Sequence, residues 1–183
     1  VLEDYLIEYC APTLASLKTA NLFNCRFYSE TELNRQLAVW NEALGQKGIA
    51  LLTLHREENK ALIYVYRKSR LEADLNKEGV ADFLTRFGYE RRGPDSALDF
   101  LKKRIREEKN FPHEIGIFLG YPLGDVLGFI QNKGKNCKCA GCWKVYCDEC
   151  EAKRMFEKFG KCKSVYRNLW SQGRSVWQLT VTA

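Results

Sequence analysis

The chain has 183 residues, with 29 Lys plus Arg, 23 Asp plus Glu, a formal charge of +6 and eight cysteines. That length is enough to bury a core without disulfides, and 45% hydrophobic residues, 13% aromatics and four prolines exclude a linker-like or low-complexity chain. The longest weakly charged stretch, Ile115 to Ile130, is shorter than the roughly 20 apolar residues that cross a bilayer and holds Pro122, so no membrane span is expected.

In chain order, residues 2 to 10 read as a helix, and Pro12 fits the first turn of a second short helix, where a missing N–H costs nothing. Leu22 to Phe27 reads as a strand. Ser29 and Glu32 have capping-box spacing, and the helix they open carries Leu33, Leu37, Trp40 and Leu44 on one side before Gly45 and Gly48. Ile49 to Leu54 and Ala61 to Tyr66 are rich in β-forming residues and flank the polar Glu57-Glu58-Asn59-Lys60, a hairpin pattern. Ser69 to Leu75 and Lys77 to Phe87 read as helices, the second closed by Gly88. Asp95 is placed to cap the next helix, with Leu98, Leu101 and Ile105 on one face and Lys102, Lys103, Arg104 and Arg106 as a solvated charge run.

Residues 111–130 read F-P-H-E-I-G-I-F-L-G-Y-P-L-G-D-V-L-G-F-I, with glycine at every fourth position from Gly116 to Gly128. Pro122 pushes Tyr121 out of the helical region, so two short helices joined at Gly120-Tyr121-Pro122 are expected near 113–131. This helical hairpin resembles a helix-turn-helix, with Ile115, Leu119, Val126 and Phe129 between the helices. The second helix offers Asp125 and Gln131 but no Arg, which argues for a structural corner over a DNA-reading element. Trp143 to Tyr146 reads as a strand, and Cys147 to Cys150 as the start of a helix carrying Ala152, Met155, Phe156 and Phe159. The expected class is α+β, with helices on a small, mainly antiparallel sheet built from residues near 22–27, 49–55, 61–67 and 143–147.

Charge and cysteine are unevenly spread. Residues 1–130 hold 18 Lys plus Arg against 19 Asp plus Glu, a balance of −1, while 131–183 hold 11 against four, a balance of +7, with six of the eight cysteines. The expected organisation is a near-neutral body, 1–130, with a basic, Cys-rich segment, 131–183, packed on it as one domain. The basic segment suits an anionic ligand or nucleic acid, with Lys133, Lys135, Lys138, Arg154, Arg167 and Arg174 on phosphates and Trp143 and Tyr146 on bases.

Cys137, Cys139, Cys142, Cys147 and Cys150 follow C-x-C-x2-C-x4-C-x2-C, and four thiolates satisfy zinc or an iron–sulfur cluster. Two features oppose a four-Cys site. Zinc-binding pairs are usually about a dozen or more residues apart. A strand at 143–146 would also send Cys142 and Cys147 to opposite faces. Free thiols, some buried as small hydrophobes, are the competing account. Cys10 and Cys25 are expected in the core, and His55 is expected to be structural. No secretory segment opens the chain, so a cytoplasmic, reducing setting is expected; the start at Val1 leaves open whether residues precede it.

The 111–130 segment, with N-K-G-K-N-C-K-C-A-G-C-W-K-V-Y, Lys161-Cys162, Y-C-A-P-T-L-A-S-L-K and L-I-Y-V-Y-R, resembles a mostly clostridial bacterial family, domain of unknown function 3793. The likeness covers nearly the whole chain. It implies no established activity. The resemblance sets G-Y-W-K-V-Y-G-D where this chain has Gly141-Cys142-Trp143-Lys144-Val145-Tyr146-Cys147-Asp148, and a non-Cys residue at Cys150, which implies that Cys142, Cys147 and Cys150 are extra thiols and that a four-Cys centre is not a shared property. The matching His113, Glu114, Tyr121, Trp143, Lys144, Tyr146, Cys139 and Cys162 are a candidate ligand-pocket set or a packing signature.

Three functional expectations follow. The first is a ligand-binding protein using metal or thiol chemistry in the cysteine segment. The second is nucleic-acid binding through the helical hairpin and basic segment. The third is an enzyme with His113 as acid or base beside Glu114, Lys144 or a cysteine, although no nucleophile, orienting group and oxyanion site are identifiable together.

Overall fold

The computed structural model describes residues 2–182. The chain runs α1 (Leu2–Leu14), β1 (Ala20–Arg26), α2 (Glu30–Gly45), β2 (Ile49–Glu57), β3 (Lys60–Arg67), α3 (Lys68–Leu75), α4 (Val80–Thr85), α5 (Pro94–Glu107), α6 (Ile115–Phe118), α7 (Leu123–Gln131), β4 (Cys139–Ala140), β5 (Lys144–Val145), α8 (Glu149–Ser171) and α9 (Val176–Leu179). The class is α+β. The main sheet is antiparallel in the order β1-β3-β2, with β4-β5 a separate two-stranded hairpin.

Alternation along the strands builds two cores. Phe23, Cys25, Ile49, Leu51, Ala61, Ile63 and Val65 face α1, α2, α9 and the end of α8. Ala20, Leu54, Tyr64 and Tyr66 face α3 to α7. Because both faces are covered, central β3 is almost continuously buried rather than alternating in and out. A third, smaller cluster joins Trp143 and Val145 to Ala152 and Phe159 of α8.

Several expectations are corrected in detail. One helix, α1, contains Pro12, where two were expected; the proline sits in the last turn, and its carbonyl accepts the amides of Leu17 and Lys18 at 2.9 and 3.1 Å. Ser29 caps α2 by accepting from the Glu32 amide at 3.3 Å, but the Glu32 carboxylate turns to Arg35 and Gln36, so only half the expected box forms. A complete capping box is instead made by Ser175 and Gln178 at α9. The predicted helix 77–87 shrinks to α4 because Gly79 is left-handed, with φ of 79°. Pro94 begins α5, so Asp95 lies in the first turn and caps nothing. The 143–147 segment does not extend the main sheet; only Lys144–Val145 is extended, paired with Cys139–Ala140.

Arg67, at the end of β3, is fully buried and ties the ends of the chain together. Its guanidinium donates to the carbonyls of Thr13, Leu14, Lys47 and Val181 at 2.6 to 3.2 Å. Two of those carbonyls end α1, where helix geometry leaves acceptors free and favours a cation.

Candidate functional site

The helical hairpin forms as the sequence predicts. Gly120, with φ of 81°, supplies the turn between α6 and α7. A Cβ on Gly116 would meet Val126 at 2.8 Å and Tyr121 at 3.0 Å, so a bare backbone is needed where the chain crosses itself. The glycine stripe continues to other work. On α7, Gly124 and Gly128 are overlaid by Cys147 and Tyr146, so the stripe is the seat on which the chain leaving β5 rests.

Asp125 fastens that seat. Its carboxylate, 3% exposed, accepts from the Trp143 indole N–H at 2.8 Å and from the Tyr146 and Cys147 amides at 2.9 and 3.0 Å. Trp143 is stacked on Tyr121 at 4.8 Å and edge-on to Phe156 at 4.7 Å.

Between the two hairpins lies a cavity of about 270 Å³, lined by Phe111, Pro112, His113, Ile115, Gly116, Tyr121, Asp125, Val126, Phe129, Trp143 and Lys144. Its walls are almost wholly apolar. His113 is exposed, its ring 5.1 Å from that of Phe129. The Lys144 ammonium donates to the Gly134 carbonyl at 2.6 Å and lies 5.8 Å from the same ring. The Tyr121 hydroxyl reaches the Cys142 carbonyl at 3.4 Å, and burial pushes it up to about 12.

Of the sequence-predicted residues, the structure therefore brings His113, Tyr121, Trp143 and Lys144 to one cavity. Glu114 is not with them. It is fully buried under the hairpin, where one carboxylate oxygen accepts from Arg104 and from the Tyr89 hydroxyl, so His113 and Glu114 do not face a common ligand. Arg104 thus leaves the solvated charge run to pair inward. Burial, and then the Glu114 carboxylate, push the Tyr89 hydroxyl well above its ordinary value. Tyr146 is half-buried over Gly128 and donates to the Lys135 carbonyl at 2.9 Å. Cys162 is buried on α8.

Among the described residues no group of three or more His, Cys, Asp or Glu side chains is placed to hold a metal ion. The five-cysteine run is split instead. Cys137 and Cys139 are half-buried along the approach to and start of β4, Cys142 is exposed in the turn, and Cys147 and Cys150 are exposed beside the start of α8. Asp148 caps that helix, accepting from the Glu151 amide at 2.9 Å. Burial and the neighbouring Asp125 carboxylate push the Cys147 thiol up, the opposite of an activated thiolate.

The basic residues are also partly engaged. Lys138 donates to the Cys147 carbonyl at 2.7 Å, Arg154 pairs with Glu151, and Lys133 and Lys135 are exposed. Trp143, at 8% exposure, has its faces covered and offers no base-stacking surface. The expected membrane-free character holds in this sense: among the described residues, no helix is long and apolar enough to cross a bilayer.

Phe111, Phe129, Asp125 and Val126 complete the cavity without having been singled out as site residues. Their signal was the density of aromatic and small residues in 111–130. A family model described as "Protein of unknown function (DUF3793)" matches residues 6–180, in agreement with the resemblance read from those segments. No curated protein and no solved structure matches the chain.

Proposed function

The chain belongs to the DUF3793 family, and we propose that it binds a small, flat, largely apolar molecule carrying an acidic group, in the cavity between the α6–α7 and β4–β5 hairpins. The observation that carries this is the lining. Aromatic and aliphatic walls enclose about 270 Å³, and the two basic side chains among them are His113 and Lys144. Small-ligand sites have this character, an apolar body with few oriented polar groups. Asp125 also borders the cavity, its oxygens turned to three N–H donors of the β5 chain, and the positive charge opposite an acid comes from His113 and Lys144.

The test is a titration of benzoate and of uncharged benzyl alcohol, followed by the Trp143 indole N–H resonance. Benzoate is expected to give a saturable shift, and His113→Ala and Lys144→Ala to weaken benzoate more than benzyl alcohol. Absence of a saturable shift with either probe in the folded protein would sink the proposal.

A thiol-linked role rests on a separate observation, the exposure of Cys142, Cys147 and Cys150. Its metal version is tested by zinc and iron analysis of untagged protein purified without oxygen. Metal content below about 0.1 per chain, with those thiols freely titratable, removes it.

A further inference from the structure

Arg67 shows how this fold treats a buried structural cation, which is to surround it with carbonyls. Lys18, in the turn between α1 and β1, is treated differently. It is 8% exposed, yet among the described residues its ammonium group makes no hydrogen bond and no ion pair. The ammonium lies over the face of Tyr121, 5.4 Å from the ring centroid. The side chain lines a second pocket of about 290 Å³, which shares Tyr121 with the His113 cavity. Pro12, Leu22, Leu119 and Phe159 form apolar walls there, with Asn21, Cys142 and Lys163 adding polar groups.

Two lysines therefore share a concave site that, among the described residues, contains no carboxylate. Lys163 of α8 also has no ion-pair partner among the described residues. The Asn21 carbonyl oxygen is occupied by the Thr13 hydroxyl at 2.7 Å, which orients the amide and leaves its NH2 as a donor. The Lys18 stem is buried while its nitrogen still meets the solvent in the pocket, and a bound anion would supply there the counter-charge that the described residues do not.

We propose that this pocket is a binding site for a small organic carboxylate, with the acid group between Lys18 and Lys163 and a short hydrocarbon body against Leu22, Leu119 and Phe159. The apolar walls favour a carboxylate with a carbon tail over a compact inorganic oxyanion. The environment of the amine agrees: burial, with a smaller contribution from Lys163, lowers Lys18 to about 8, and an anion beside it would raise that value.

The experiment uses the full chain with lysine labelled at Cε, the Lys18 signal being identified by its loss in Lys18→Met. Butyrate is the probe, with inorganic phosphate beside it. Butyrate is expected to shift the Lys18 signal saturably, to move its titration midpoint upward by about a unit, and to raise the melting temperature of the wild type more than that of Lys18→Met. Lys163→Ala is expected to weaken the response several-fold.

A Lys18 signal unmoved by butyrate up to about 50 mM overturns the proposal. So does a response to phosphate alone, or an equal melting response in Lys18→Met. The labelled-lysine signal is local to Lys18 and stands or falls independently of the benzoate titration at Trp143, and only the part of the melting response lost in Lys18→Met counts for this site.

Discussion

The indole N–H of Trp143 donates to Oδ2 of Asp125 across 2.8 Å, joining α7 to the chain that enters β5. The other oxygen of the same carboxylate takes the amides of Tyr146 and Cys147. A short hairpin of two-residue strands has little stability alone, and this carboxylate replaces the ladder it lacks. Three of the hydrogen bonds that hold this wall of the candidate cavity thus converge on one residue, the only charge in the apolar run 115–130.

Asp125→Ala leaves the indole and two amides without their acceptor in a mostly buried place. A loss of about 3 kcal/mol is expected in denaturant unfolding, larger than for typical surface changes. Full stability in the variant would show that water satisfies these donors instead.

Two glycines should respond with opposite sign. Gly160, inside α8, has open space where a Cβ would go, so Gly160→Ala is expected to stabilise by about 0.5 to 1 kcal/mol through helix propensity. Gly128 lies under Tyr146, and Gly128→Ala is expected to destabilise by about 1 to 3 kcal/mol despite the same propensity gain. Thermal melts of both variants check the pair.

The thiols should fall into classes. Cys142, Cys147 and Cys150 are exposed and are expected to react first with a disulfide reagent at pH 8. Cys10, Cys25 and Cys162 are buried and their thiols are raised by burial, Cys162 to about 11, so they should react only on unfolding. Rapid reaction of all eight in native protein would contradict this burial pattern.

Lys18 predicts a pH dependence. Its folded-state value of about 8 lies below the ordinary 10.5, so between these values the unfolded chain binds the extra proton and stability rises with pH. Below pH 8 both states are protonated and the full penalty, about 3 kcal/mol, is present; above 10.5 it is gone. Cys10, Cys142, Tyr121 and Lys163 also face this group, so the clean quantity is a difference. Lys18→Met should exceed the wild type in stability near neutral pH, with the gap closing as pH climbs from 8 to 10.5.

Periodicity and turn chemistry made much of this architecture legible. The β2–β3 hairpin announced itself through two β-rich runs around Glu57-Glu58-Asn59-Lys60, and the α6–α7 corner through Gly120 and Pro122. Those signals are local, because a turn is decided by the few residues inside it. Helix ends are less legible: Pro12 suggests a boundary that burial of α1 against the sheet overrides, and Gly79 sits within a helical pattern that its left-handed φ stops.

The sequence by itself determined the α+β class, the helical corner, the family resemblance, and the concentration of positive charge and cysteine after residue 130. Only the tertiary structure decided which chemistry meets which. Residues 113 and 114 are neighbours in sequence, yet His113 opens to a cavity while Glu114 is sealed beside Arg104 and Tyr89. Five clustered cysteines do not gather, because the β4–β5 turn and the cap of α8 distribute them along separate elements. Lys18, unremarkable in sequence, has no ion-pair partner among the described residues because α1, Tyr121 and α8 close around it. Pattern reports the surroundings that a residue's own segment creates, whereas burial, pairing and pocket geometry are set by segments far away in the chain.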